Sequence, residues 1–564
     1  MSEPEIDSTP RRSHAGTVAA GILSSRIFGL AREAIVLYFF GIGAHTDVFQ
    51  AAFRAPNLLQ NLLGEGTISA AFIPIYSRML EEGRAEDAGR FAGAVFGLLI
   101  AVMSTLVLLG IALARPIVSV LVFGWVDDAA LVAAGTLSIN RFELTVQAVR
   151  IIFPMTGVLV LSAWALGVLN SHRRFFVPYF APVLWNIAII SALFVGAALF
   201  IDAPAEAGGV HAIEVLNRLL FAAFFGALIG GIMQFLVQVP QVIRVLKGFR
   251  LSFSTKVEGV RAAMAAFGPA VAGRGVSQLS SYIDLFLASL LATGALASLR
   301  PALMLYLLPV SLFGLSVAAS ELPELSRISE EEIQPFLQRL NQSLRQSLFL
   351  TLPTAIGYVG FGFLIIGALY RRGPFGVADN WLVYTVLGGY SLGLVATTIS
   401  RLLQNGFWAL RDTKTPAKIA VLRVIISAGI ALPLMLLLDR FSVEQTLGLA
   451  ADEQPLFFGA VGLALGASAA AWIELWRLRV SLRQRLASFR VPWGSVLQMS
   501  GLAVAAMVPA ALLWWLLPGW SVLVVALLVV GVYGVTYLAL AYLLHFPELN
   551  AWAGRFLRRF RKGS

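Results

Sequence analysis

The sequence predicts an all-α integral membrane protein with about 14 transmembrane helices. Of its 564 residues, 58% are hydrophobic and only 13% are charged, and the mean hydropathy is +0.81, which is unlike the composition of soluble domains. Apolar stretches long enough to cross a bilayer, about 20 residues each, recur along the chain between charged residues, glycine and proline. We therefore expect most of the chain to lie in the membrane.

The predicted crossings are separated by short loops of alternating charge. Their centres lie near residues 28, 62, 103, 157, 187, 228, 274, 312, 358, 393, 426, 467, 506 and 532. Basic loops such as 172–174, 244–256 and 411–418 alternate with acidic or neutral ones, apart from Arg371 and Arg372. Because basic residues concentrate on the cytoplasmic side, both termini are expected in the cytoplasm.

An internal repeat suggests how the crossings are grouped. Pro74–Arg78, after the second crossing, is echoed by Pro323–Arg327 after the eighth, so each repeat has six crossings and the two are parallel. The expected domains are a cytoplasmic tail at 1–14, an N-terminal lobe of helices 1–6 at 15–244, a basic linker at 245–256, a C-terminal lobe of helices 7–12 at 257–491, helices 13–14 at 492–545, and a basic cytoplasmic tail at 546–564.

The first crossing contains three ionised residues, Arg26, Arg32 and Glu33, within an apolar stretch. Each costs about 2.5–3.5 kcal/mol at the bilayer centre. Two interpretations are open: an arginine that reaches the membrane surface or a structural ion pair, and side chains that line a polar cavity.

Polar residues at helical spacing on three further crossings favour the cavity. In the second crossing they form a continuous stripe that must face protein or water. The same pattern recurs in the seventh crossing, between Arg274 and Asp284, and in the tenth, between Thr397 and Asn405. The stripe of the second crossing comprises Asp47, Gln50, Arg54, Asn57, Asn61 and Glu65.

A cavity rich in arginine suits an anionic ligand, because guanidinium groups bind phosphate and carboxylate through two hydrogen bonds. The carboxylates in the same helices could hold the arginines, relay protons or bind a cation, and the sequence leaves all three open. No phosphate-binding Gly-Lys-Ser/Thr loop and no His-Glu-x-x-His motif is present. ATP hydrolysis and zinc chemistry are therefore not expected, and neither are cofactors, metals or nucleic acid.

Five motifs carry a family resemblance. They are Ser25–Glu33, Thr46–Asp47, Arg54–Leu59, Glu65–Pro74 and Arg411–Pro416, and together they resemble the MurJ (MviN) lipid II flippases. The resemblance implies the multidrug/oligosaccharidyl-lipid/polysaccharide exporter fold, with two six-helix lobes around a V-shaped central cavity and helices 13 and 14 forming a groove for a lipid tail.

The resemblance also implies a function in peptidoglycan biosynthesis and cell shape. The expected substrate is lipid II, an undecaprenyl diphosphate carrying the peptidoglycan building block, moved by alternating access from the inner to the outer leaflet of the bacterial inner membrane. The protein would be a transporter and not an enzyme. It would act as a monomer in contact with membrane lipids and with the cell-wall synthesis machinery.

Site residues follow partly from the family and partly from this chain. Arg26, Arg32 and Asp47 match the family motifs, whereas Arg54 is expected to replace an arginine that many relatives have near Gln60. Arg423 is expected to pair with Asp284 in place of a sodium ion. The expected substrate-binding residues are Arg26, Arg32, Arg54, Arg300, Asn57 and Gln60, and the expected gating or ion-pair residues are Glu33, Asp47, Glu65, Asp284, Arg401 and Arg423.

Two other functions are compatible with the same sequence. One is an ion-coupled exporter, or a flippase of another lipid-linked oligosaccharide, in the same superfamily. A cavity rich in arginine disfavours the cationic drugs that such exporters usually carry. The other is a scaffold without transport activity, in which the charges are only structural.

Overall fold

The computed structural model describes residues 15–201, 213–311, 321, 325, 333–450 and 454–549. Within these residues it contains 21 α-helices, one short 3-10 helix and no β-strand. The predicted tail at 1–14, most of the tail at 546–564 and the second copy of the repeated motif, except Leu325, lie outside the described residues.

The chain divides into two compact units. Unit 1 comprises the residues up to Val36 together with Val48–Tyr282, and unit 2 comprises Leu37–Asp47 together with the residues from Ile283 on. The predicted domain boundaries remain a prediction.

The first thirteen helices run from the first crossing to the middle of the chain. They are α1 (Ala15–Phe40), α2 (Ala44–Leu63), α3 (Glu65–Ala71), α4 (Ile73–Glu81), α5 (Ala85–Ala112), α6 (Ala114–Leu121), α7 (Asp128–Ala133), α8 (Arg141–Ser171), α9 (Phe176–Phe200), α10 (Ile213–Leu236), α11 (Val239–Val245), α12 (Val260–Ser289) and α13 (Ala295–Pro309).

Eight helices follow in unit 2. They are α14 (Ile333–Tyr370), α15 (Val377–Ser391), α16 (Leu394–Ala409), α17 (Lys414–Leu438), α18 (Val443–Leu447), α19 (Gly459–Arg485), α20 (Trp493–Leu516) and α21 (Val522–Leu543). The last helix, α21, packs against α14 through buried tyrosines: the hydroxyls of Tyr533 and Tyr537 donate to the carbonyls of Pro353 and Phe349.

Ten helices or helix pairs in the described residues are long and apolar enough to cross a membrane, or eleven if a bent pair is counted. The ten correspond to the predicted crossings centred near 103, 157, 187, 228, 358, 393, 426, 467, 506 and 532. The bent pair, Ala114–Leu121 with Phe123–Ala133, turns by 105° and was not predicted. The all-helical membrane fold is confirmed, but the count of 14 is not.

Three of the four remaining predicted crossings fail the apolar test for physical reasons. The crossing near residue 28, α1, contains three ionised groups, and α12 contains Arg261, Arg274 and Asp284. The centre of the crossing near residue 312 lies outside the described residues. The crossing near residue 62 is not one helix, because α2 ends at Leu63 and α3 begins at Glu65.

Gly64 separates α2 from α3. A Cβ atom there would lie 2.3 Å from the carbonyl oxygen of Gln60, so only glycine fits without a shift of the backbone. The predicted continuous stripe on a single helix is therefore wrong at its end, because Glu65 starts a new helix.

The motif Arg411–Pro416 forms the start of α17. The side chain of Asp412 accepts hydrogen bonds from the backbone N–H groups of Lys414 and Thr415, both 3.0 Å long, which caps the helix. Hydrogen bonds from Thr415 lower the pKa of the Asp412 carboxyl. Asp412 also pairs with Arg485 of α19 at 2.6 Å, so this loop joins two helices of unit 2.

In unit 1, the linker between α11 and α12 lies directly on a glycine face of α5. Cβ atoms at Gly89, Gly93 and Gly97 would lie 1.8, 2.1 and 2.2 Å from linker carbonyl oxygens. Arg84 binds both carboxylate oxygens of Glu258 at the end of the linker, and this hydrogen bonding lowers the pKa of Glu258. The linker therefore has a fixed position on α5.

Replacing Gly93 by Ala should displace this linker. The added methyl group would meet the carbonyl of Arg250, and we expect a loss of about 1–3 kcal/mol of unfolding free energy, as for overpacked sites. Thermal unfolding in detergent and tryptic cleavage of the linker measure the effect. Gly429→Ala is the control, because nothing lies within 4 Å of a Cβ atom at that position. Equal behaviour of the two variants would contradict the docked linker.

Candidate functional site

The charged residues of α1 meet a polar residue of α2 inside unit 1. Glu33 is fully buried, and its Oε1 accepts a hydrogen bond of 2.7 Å from the Gln50 side chain. Arg32 is 6% exposed and approaches the other oxygen of Glu33 at 3.7 Å, which is longer than a hydrogen bond. Its guanidinium lies 4.9 Å from the centre of the Trp185 ring, in cation–π contact.

A second ion pair in unit 1 shows what a purely structural pair looks like. The guanidinium of Arg141 binds both oxygens of Asp128 at 2.9 and 3.0 Å, and its backbone N–H donates to the same carboxylate. The ring of Trp125 lies over the guanidinium of Arg141, whose Cζ atom is 4.8 Å from the ring centroid. In comparison, the contact of 3.7 Å between Arg32 and Glu33 is long.

The polar side chains of α2 become progressively more exposed along the helix. Gln50 is buried, Arg54, Asn57 and Gln60 are partly buried, and Asn61 is exposed. Asn61 donates to Gln278 of α12 at 3.1 Å. This polar face therefore also contacts the seventh predicted crossing, within unit 1.

Asp47, in the first turn of α2, caps another helix of unit 2. Its two carboxylate oxygens accept hydrogen bonds from the backbone N–H groups of Gly294 and Ala297, both 2.7 Å long. Asp47 is 1% exposed, and a carboxylate at the N-terminus of a helix such as α13 is stabilised by the helix dipole and the free N–H groups. Asp47 thus fixes the start of α13.

Three helices of unit 2 contribute to a second charged cluster. Glu474 of α19 has a side chain that is 1% exposed, and it forms an ion pair of 2.8 Å with Arg423 of α17. Its other oxygen accepts a 3.0 Å hydrogen bond from Gln404 of α16. Arg401 lies close enough to Arg423 for their charges to repel, and its Nε is buried without a hydrogen-bond partner among the described residues.

The partner of Arg423 corrects one expectation. Arg423 was expected to pair with Asp284, but its ion pair is with Glu474. Glu474 was missed in the sequence because it does not belong to a polar stripe. One feature of the sequence could have identified Glu474: it is the first charged residue after the apolar start of α19, Gly459–Ile473.

The remaining predicted site residues have varied surroundings. Arg26 and Glu65 are exposed, and Asp284 and Arg300 are partly buried. The Nε of Arg300, on α13, is buried without a hydrogen-bond partner in the described part of the chain. The structure thus brings together Arg32, Glu33 and Gln50 in one place and the cluster around Glu474 in another.

Comparison with known proteins gives matches over most of the chain. The family model "Lipid II flippase MurJ" matches residues 36–534. "Probable lipid II flippase MurJ" of Rhizobium tropici is 32% identical over 473 residues, which cover 83% of this chain and 80% of the relative. "Lipid II flippase MurJ" of Burkholderia cenocepacia is 32% identical over 410 residues, with 72% and 74% covered.

Solved structures of two kinds share the fold. "Lipid II flippase MurJ, inward closed conformation" aligns with a TM-score of 0.68 at 23% identity and covers 93% of this chain and 99% of that one. An inward-facing multidrug resistance MATE family transporter of the MOP superfamily aligns with a TM-score of 0.56 at 14% identity, covering 84% and 98%. The fold is therefore that of this group of transporters.

Replacing Glu474 by Gln should destabilise unit 2. The change leaves Arg423 and Arg401 near one another without the carboxylate, and we expect a loss of about 3 kcal/mol, as when one partner of a buried pair is removed. Because Arg423→Gln removes the stranded charge, the double variant should recover at least about 1 kcal/mol of that loss. Denaturant unfolding in detergent measures both.

The control for this cycle is Glu82→Gln, which breaks the exposed pair with Arg78. Exposed pairs contribute about 0–1 kcal/mol, so little change is expected. If Glu474→Gln lowers the free energy of unfolding as little as Glu82→Gln does, the carboxylate does not hold the cluster together.

Proposed function

The chain belongs to the lipid II flippase MurJ family, and we propose that it moves lipid II from the inner to the outer leaflet of the bacterial cytoplasmic membrane. It is a transporter and not an enzyme. The observation that carries the proposal is the family match over residues 36–534, together with relatives that are 32% identical over most of both chains. The resemblance seen in the sequence motifs is thereby confirmed.

The role of the α1 arginines in this proposal rests on their own chemistry, because the family match begins after them, at residue 36. Lipid II carries a diphosphate, and guanidinium groups bind phosphate oxygens in pairs. Arg32 is buried beside Glu33 through a long contact of 3.7 Å. A diphosphate can replace this contact, and Arg26 and Arg54 of the same unit would supply further positive charge. Arg300, in unit 2, stays a proposed substrate-binding residue.

The carboxylate of Glu33 has a complementary role in the empty state. An arginine left without a counter-charge at membrane depth is strongly unfavourable. Glu33 provides that charge, and its hydrogen bond with Gln50 keeps the carboxylate in place when Arg32 turns to the substrate. Asn57 and Gln60, which are partly exposed on α2, can donate hydrogen bonds to the sugar or phosphate oxygens.

Transport is proposed to proceed by alternating access, with Asp47 as part of a gate. The first turn of α2 belongs to unit 2, whereas the helix from Val48 on belongs to unit 1. A movement of Asp47 away from the start of α13, within unit 2, must break the two hydrogen bonds that Asp47 makes with Gly294 and Ala297. The release of these two hydrogen bonds is the proposed opening of the gate.

The cellular setting is part of the same proposal. The family relationship and the basic loops favour a bacterial inner membrane with both termini in the cytoplasm. We propose that the protein works as a monomer on lipid II, beside the cell-wall synthesis machinery.

Complementation of a bacterium depleted of its own lipid II flippase tests this function. The wild-type chain should restore growth and the appearance of lipid II at the outer surface. Arg32→Ala should abolish both while the protein is present in normal amounts, because a buried cation that meets the diphosphate is lost. Arg26→Ala and Arg54→Ala should reduce transport at least about tenfold, the value of one charge-assisted contact.

Arg218→Ala is the matched control, because Arg218 forms an exposed pair with Glu214 and should leave transport unchanged. Failure of the wild-type chain despite normal membrane amounts would contradict the function itself. Full activity of all three arginine variants would instead contradict only the assigned diphosphate contacts.

A further inference from the structure

From α11 into the linker, an apolar residue followed directly by a basic residue recurs at every third position. Arg244, Lys247 and Arg250 are exposed. Ile243, Leu246 and Phe249, each just before one of them, line a cavity in unit 1. The segment thus contributes three apolar side chains to the cavity wall and has three positively charged side chains next to them in the sequence.

The cavity has a volume of about 280 Å³ and is open on one side. Its walls include Phe96 of α5, Trp164 of α8, Phe235 of α10 and Phe249 of the linker. The rings of Phe96 and Trp164 are 4.4 Å apart between centroids. A cavity of this kind accepts a hydrocarbon chain and not a polar solute.

The charge beside the cavity is held in a fixed position. The linker backbone at Lys247 and Arg250 lies against Gly89 and Gly93 of α5, so the basic side chains start from an ordered backbone. Basic pockets beside membrane helices bind anionic lipid headgroups. By the distribution of basic residues this end faces the cytoplasmic leaflet.

We propose that this cavity binds one acyl chain of an anionic phospholipid from the cytoplasmic leaflet, whose phosphate contacts Arg244, Lys247 and Arg250. The lipid packs the linker against α8 and α10, and it stabilises unit 1 in its present arrangement. This site is separate from the charged residues of α1 and α2, and it does not depend on the proposed transport of lipid II.

The test uses the purified full chain in phosphatidylcholine nanodiscs with and without phosphatidylglycerol. Phosphatidylglycerol should raise the thermal unfolding midpoint in a saturable way, and native mass spectrometry should retain one such lipid on each chain. The triple variant Arg244→Gln, Lys247→Gln, Arg250→Gln should bind phosphatidylglycerol about tenfold more weakly. Ile243→Trp, which fills the cavity from its exposed side, should lose the retained lipid.

The matched control is Arg477→Gln, Arg483→Gln, Arg490→Gln, which removes three exposed basic residues away from the cavity and should retain the lipid. Equal stabilisation by phosphatidylcholine would overturn the proposal, because the headgroup would not be recognised. Retention of the lipid in Ile243→Trp would overturn it as well, since only general surface charge would be acting. The same stabilisation by inorganic phosphate alone would overturn the assignment to a lipid.

Discussion

Every ionised side chain that this protein places at membrane depth must find its partners within the protein. Lipid tails offer neither hydrogen bonds nor counter-charges, and they also provide no hydrophobic drive for helices to associate. Polar contacts therefore determine where the charged helices pack. Glu33 is held by Gln50, and Glu474 is held by Gln404 and Arg423.

The carboxylates in these contacts differ in whether both oxygen atoms accept hydrogen bonds. Asp47 uses both oxygens on backbone N–H groups, so it positions a helix. Glu474 also uses both oxygens, on two side chains of neighbouring helices. Glu33 differs, because one of its oxygens has only the 3.7 Å contact with Arg32. Of these three acids, Glu33 is the one with an oxygen that accepts no hydrogen bond among the described residues.

The sequence predicted those features that depend on residue type and spacing. Hydropathy predicted ten crossings that coincide with long apolar helices of the structure, and charged residues within apolar stretches pointed to Arg32, Glu33 and Asp47. The sequence did not predict contacts between distant residues. The carboxylate that meets Arg423 follows from the packing of α17 against α19, and the interruption at Gly64 depends on a carbonyl four residues earlier. Docking of the linker on α5 likewise required knowing which face of α5 the linker meets.

The crossings that fail an apolar test contain most of the residues that we propose to bind the substrate. Such a test asks whether lipid could surround a helix, and α1, with three ionised residues, could not be surrounded by lipid. Its neighbours must take that place, and the long apolar helix α9 lies directly against α1 at Gly21. Trp185 of α9 lies over the Arg32 guanidinium. An apolar helix thus supplies the aromatic ring that contacts this buried cation. The apolar helices thus allow the charged ones to remain in the membrane.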